Sequence, residues 1–144
     1  MEFDRRLFGD GPYPLRGPWA ILARVAFLGA VTAILIAVFL PEDMVPQFVR
    51  SHYLQHFAAF YVVTLFALTA APRSRLRAVG MAMVAFATGL ELAHLLAGAR
   101  FKPLVDNWEA DIGGVIAALG PALAERFRAR FRQPSSPQDT TPSN

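Results

Sequence analysis

Long apolar stretches alternate with short polar ones along this chain, and each is close to the roughly 20 residues a helix needs to cross a bilayer. The first runs from Trp19 to Leu40 and carries one charge, Arg24, near enough to its start for the side chain to snorkel back to the interface. Pro41-Glu42-Asp43 closes it and offers no small-residue cleavage site, so the stretch reads as an uncleaved first helix. The second spans about Ser51 to Ala71 and ends at the tight basic loop Pro72-Arg73-Ser74-Arg75-Leu76-Arg77. The third covers Val79 to Ala97, ending near Gly98, and a loop from Ala99 to Asp106 follows. The fourth is expected to begin at Asp106 or Asn107, where Asp106 and Glu109 form an acidic variant of a capping box. It should weaken near its end at Gly120-Pro121. Ala110, Gly113, Gly114, Ala117 and Ala118 give it small residues four apart, a face suited to close packing in lipid. The pattern predicts an all-α integral membrane four-helix bundle over residues 19–124. An N-terminal segment, 1–18, precedes it, and a basic juxtamembrane stretch with a disordered tail, 125–144, follows.

Composition agrees: 54% of the 144 residues are hydrophobic against 17% charged, too apolar for an ordinary soluble domain. The absence of Cys excludes disulfides, thiolate metal sites and cysteine nucleophiles. Net charge is only +3, so position matters more than total. Ten of the fourteen basic residues fall at one end of the bundle: Arg5, Arg6, Arg16, Arg73, Arg75, Arg77, Arg126, Arg128, Arg130 and Arg132. Arg50, Arg100 and Lys102 fall at the other. The excess of positive charge predicts that both termini and the second loop lie in the cytoplasm. Because the arginines flank apolar spans and line no soluble face, nucleic acid is excluded as a partner.

That topology collects the unusual polar residues in one layer. Glu91 and His94 lie one helical turn apart inside the third apolar run. An ionisable residue in hydrocarbon costs about 2.5–3.5 kcal/mol even on the lenient insertion scale, so two in one span call for a use or a partner. His52 and His56 are one turn apart at the start of the second helix, and Asn107, Glu109 and Asp111 open the fourth. All of these belong to the outer end. The candidate catalytic groups are Glu91, His94, His56 and Asp111; the candidate ligand-binding groups are Arg100, Lys102, Asn107 and His52. Arg100 and Lys102 stand on the side that topology keeps poor in positive charge, which points to an anionic partner or, equally, to Asp106 and phospholipid head groups.

Taken in order, His56-Phe57, Gly89-Leu90-Glu91 with a polar residue at 94, Arg100, and Asn107 followed by Asp111 and Gly114 resemble the VanZ-like membrane family. The resemblance covers roughly residues 51 to 120 and implies a small multi-spanning bacterial protein of the cell envelope, without supplying a reaction. This chain has His52-Tyr53 where the family usually has Asp-Lys, and His94 where Gln is common. Its Asn107 and Asp111 exchange the family's acid and amide at the same separation.

Three functions compete. The first is recognition of, or action on, an anionic lipid, glycolipid or polysaccharide-linked head group at the outer leaflet, with Arg100 and Lys102 meeting the anion. The second is a membrane-embedded metal-dependent hydrolase with His52, His56, Glu91 and His94 as ligands, although neither HExxH nor a repeated ExxH pair occurs. The third is a structural or accessory subunit in which the polar network only fixes helix packing. The expected partners are membrane lipids, and envelope proteins or further copies of the chain; no cofactor is called for. A serine hydrolase is disfavoured by the lack of a Gly-x-Ser-x-Gly elbow.

Overall fold

The computed structural model describes residues 17–40, 44, 51–72, 74–98 and 101–131, apart from the side chains of Phe39, Phe101, Lys102 and Arg130. The basic N-terminal segment, Arg50, Arg73, Arg100 and the tail expected to be disordered lie outside the described residues. Four helices make up the structure: α1 (Pro18–Phe39), α2 (His52–Ala70), α3 (Leu76–Leu96) and α4 (Phe101–Arg130). Three of them, α1 to α3, are long and apolar enough to cross a membrane.

Local chemistry accounts for most of the boundaries. Pro18 occupies the first turn of α1, where its missing N–H would have had no partner, and the chain leaves the helix at Leu40, the residue before Pro41. Ser51 caps α2 by accepting the Leu54 backbone N–H at 3.3 Å. That cap makes His52 the first helical residue and places His56 one turn further in. Helix α2 stops just before Pro72. Helix α3 ends in a turn where Gly98 takes φ 92°, a conformation open to glycine at little cost.

The fourth helix departs from expectation at both ends. It begins at Phe101, so Lys102 and Pro103 belong to its first turn and Asp106 lies inside the helix, not at its cap. Pro103 permits this because a first-turn residue needs no N–H partner. At the other end α4 continues through Pro121 to Arg130. Pro121 removes one donor, and the carbonyl that loses it belongs to Ala117, which is exposed.

Packing order differs from chain order: α4 lies against both α2 and α3, while α1 packs on α2. His56 lies beside Asp111, and Tyr61 further along α2 lies beside Gly114, so α2 and α4 run parallel. Thr88 opposite Trp108 and Gly80 opposite Leu119 make α3 antiparallel to α4. The core joins Phe60, Val63 and Ala67 of α2 to Val79, Met83, Ala87 and Leu90 of α3 and Val115 of α4. Phe60 and Phe86 bring their rings to 5.8 Å across it.

The small-residue face of α4 is used in part. Ala110, Gly114 and Ala118 are buried, whereas Ala117 is exposed. Gly114 is the closest approach. A Cβ there would collide with the Phe57 carbonyl oxygen and stand 2.8 Å from the Tyr61 nitrogen, so the backbone of α2 passes directly over it. This contact holds the first half of α2 against the first half of α4, and with them the polar residues they carry.

Candidate functional site

The start of α2, the end of α3 and the first half of α4 meet at one end of the bundle. His56, Glu91 and Asp111 converge there, one from each helix, with a possible ligand atom of each lying within 4.8 Å of the others. His56 Nδ1 and Asp111 Oδ1 are 3.0 Å apart. Asp111 is 1% exposed and Glu91 7%, so both carboxylates are inside the bundle, while His56 is part-buried. A buried carboxylate needs hydrogen bonds, a counter-charge or a proton. Asp111 uses Oδ1 on His56, but Oδ2 has no hydrogen-bond partner among the described residues.

Two further histidines extend the group. His94 approaches Glu91 through Nδ1 and Oε2 at 3.5 Å, the long end of hydrogen-bond range, as the i, i+3 spacing predicts. His52 sets its ring edge-on to His56, with centroids 4.8 Å apart, and is itself exposed. The arrangement is therefore graded. Asp111 and Glu91 lie innermost, His56 and His94 are part-buried beside them, and His52 is at the surface. Among the described residues the ion-pair partners of Glu91 and Asp111 are histidines, with no Lys or Arg in the group.

The candidate residues divide on these positions. His52, His56, Glu91, His94 and Asp111 are brought together. Asn107 is half-buried one turn before Asp111 on α4, and Glu109 is exposed. Lys102 is in the first turn of α4, and Arg100 lies outside the described residues. The metal-type grouping also differs from the ligand set expected from sequence. Asp111 joins His56 and Glu91, whereas His52 and His94 stand beside that group and contact it through His56 and Glu91.

Two threonines have roles that sequence did not signal. Thr88 accepts the Trp108 indole N–H at 3.0 Å and donates its own hydroxyl to the Val84 carbonyl at 2.8 Å, tying α3 to α4 near the site. Trp108 is thus a link between helices. Thr64, fully buried in α2, has no partner for its hydroxyl among the described residues. Single threonines inside apolar runs give no pattern from which either role could be read.

Chemically, the cluster can hold and pass protons or ligate a cation, and the histidines form its more exposed edge. No protein-family model, curated protein or solved structure matches the chain.

Proposed function

We propose that this chain is a VanZ-like four-span protein of the bacterial cytoplasmic membrane. Both termini face the cytoplasm, and the polar pocket at its outer end recognises or acts on an anionic lipid or glycolipid head group. The observation that carries this reading is the convergence of His56, Glu91 and Asp111 from three helices at one end of an otherwise apolar bundle. Helix packing alone does not call for two buried carboxylates at a single point, because apolar and small residues pack helices in lipid without the desolvation cost. The exposed apolar residues of α1, among them Ile21, Leu22, Val25, Leu28 and Ile36, suit a lipid surface and would be a large unexplained patch in water. Positive charge supports the orientation. Arg75, Arg77, Arg126 and Arg128 belong to the end away from the cluster, Lys102 to the first turn of α4, and Arg100 to the sequence that joins α3 to α4.

Single cysteines at Ser74 and Ala97, exposed positions flanking α3 in this Cys-free chain, test the orientation. An impermeant reagent applied to intact cells should label position 97 and not 74; the reverse pattern overturns the topology. Mass spectrometry of lipid retained by the purified protein tests the ligand. The wild type should retain an anionic lipid that Arg100→Ala and Arg100→Lys both release, since a bidentate guanidinium grip is not reproduced by an ammonium. Retention unchanged in Arg100→Lys reduces the role of Arg100 to general attraction. Retention of neutral lipid alone, by wild type and variants alike, returns the cluster to a structural subunit.

A further inference from the structure

We infer that His56, Glu91 and Asp111 form a binding site for one divalent transition-metal ion, with Zn²⁺ the best match to the donor set. Each residue presents a possible ligand atom, and these atoms lie within 4.8 Å of one another. Around a single ion at about 2.0–2.2 Å, neighbouring ligand atoms sit roughly 3–4 Å apart, so the three need to close by about an ångström. The residues come from three different helices, and the site is held by a close backbone approach, the crossing of α2 over Gly114 only three residues beyond Asp111.

The second observation is the state of Asp111. It is 1% exposed, yet Oδ2 has no hydrogen-bond partner among the described residues while Oδ1 faces His56. A lone pair left idle at that depth is costly unless a proton or a cation occupies it. Glu91 adds a second buried carboxylate to the same space. One divalent ion compensates both, which neutral imidazoles cannot do. The neighbours fit supporting parts. His94 reaches Oε2 of Glu91 at 3.5 Å and orients that carboxylate, and the His52 ring braces His56 from the exposed side. Three protein ligands leave at least one position open towards that exposed edge, the arrangement of a reactive site and not of a closed structural one.

One imidazole and two carboxylates, with no thiolate, select among ions. Imidazole suits Zn²⁺ and its transition-metal neighbours, whereas Mg²⁺ takes oxygen ligands and gives up its water reluctantly. Affinity should therefore fall in the order Zn²⁺, Mn²⁺, Mg²⁺.

The test is titration of the purified full-length protein in detergent or nanodiscs with Zn²⁺, Mn²⁺ and Mg²⁺, read by calorimetry and by elemental analysis after desalting. The expected result is one Zn²⁺ per chain in that order of affinity. Asp111→Asn and His56→Ala should each weaken Zn²⁺ by about 10–100-fold or more, and Glu109→Gln, an exposed acid two residues from Asp111, should leave it unchanged. Helix content by circular dichroism separates loss of a ligand from loss of the fold. If the ligand variants do not fold, Co²⁺ absorption of the wild type decides: an intense visible band marks a low-coordinate imidazole–carboxylate site. A weak band of aquated Co²⁺ overturns the proposal. So does an absence of Zn²⁺ binding, Mg²⁺ binding as tightly as Zn²⁺, or equal loss in Glu109→Gln. None of these readouts uses lipid, so a missing metal and a missing head-group ligand are separate failures.

Discussion

Along α1, Phe27, Ala30, Val31, Ile34 and Val38 face the core, yet no described residue of that helix is buried. Along α4, which carries far more polar and charged residues, Leu104, Ala110, Asp111, Gly114, Val115 and Ala118 are all buried. The helix richest in apolar side chains is thus at the edge of the bundle, and the more polar one is packed between two others. In water this would be perverse, because apolar area drives burial. In lipid it is expected: large apolar side chains gain little by leaving the acyl chains. Close packing instead follows small residues that let backbones approach, and polar groups that need partners. Both occur together on α4, where Asp111 and Gly114 are three apart and so share a face.

The largest expected effect comes from destroying the close approach. Gly114→Leu places a branched side chain against the α2 backbone at Phe57 and Tyr61, which has no rotamer with which to yield. Overpacking typically costs about 1–3 kcal/mol where neighbours can adjust, and here the obstacle is main chain, so failure to accumulate as a folded protein is expected. Gly80→Ala is the control. Its added methyl would meet the Leu119 Cδ1 atom at 2.9 Å, the movable end of a side chain, and a cost of about 1 kcal/mol or less is expected. Unfolding in mixed detergent, followed by circular dichroism, ranks the two. Equal tolerance would mean that α4 is not held by its small residues.

A smaller effect is expected from the polar half of the same face. His56→Leu substitutes an apolar side chain of similar size and leaves Asp111 Oδ1 without its partner, inside a site where Oδ2 already has none among the described residues. Leaving a buried acceptor unsatisfied costs about 1–3 kcal/mol. The double variant His56→Leu with Asp111→Leu removes both polar partners and should recover part of that loss. Recovery would identify the pair as a liability that the fold carries for function. A double variant no better than the single would make the pair a packing device.

The contrast between the helices was partly legible in the sequence. Four helices, three of them apolar enough to span a membrane, and most of their ends follow from hydropathy and from Pro18, Pro41, Ser51 and Pro72, because these act within a few residues. The start of α4 was not legible. Pro103 and Asp106 both look like boundary residues, and only a helix already begun at Phe101 turns one into a first-turn proline and the other into an interior position. The members of the polar cluster were visible as ionisable residues in apolar runs. Their pairing was not: Glu91 with His94 is a local i, i+3 contact readable from spacing, but His56 with Asp111 spans 55 residues and depends on α2 and α4 being parallel neighbours. Nothing in the linear pattern distinguishes that from α2 pairing chiefly with α3.

The smallest expected effect lies on the outer face of α1, and it is the sharpest check on the comparison because a null result is required. Leu28 is 62% exposed and is not among the α1 residues, such as Phe27 and Val31, that pack on the core. Leu28→Ala creates no enclosed cavity, since most of the side chain's surface is already uncovered. It lowers the apolarity of the span by a few tenths of a kcal/mol on the insertion scale, in a helix with many other large apolar residues. Stability in detergent should therefore change by less than about 0.5 kcal/mol, the ordinary range for a surface position. The elution volume of the protein–detergent complex should not move. A cost above about 1 kcal/mol, with a shift in apparent size, would mean that this face is covered by another protein or a second copy. Helix α1 would then have to be regarded as an interface whose packing partner lies outside the single chain.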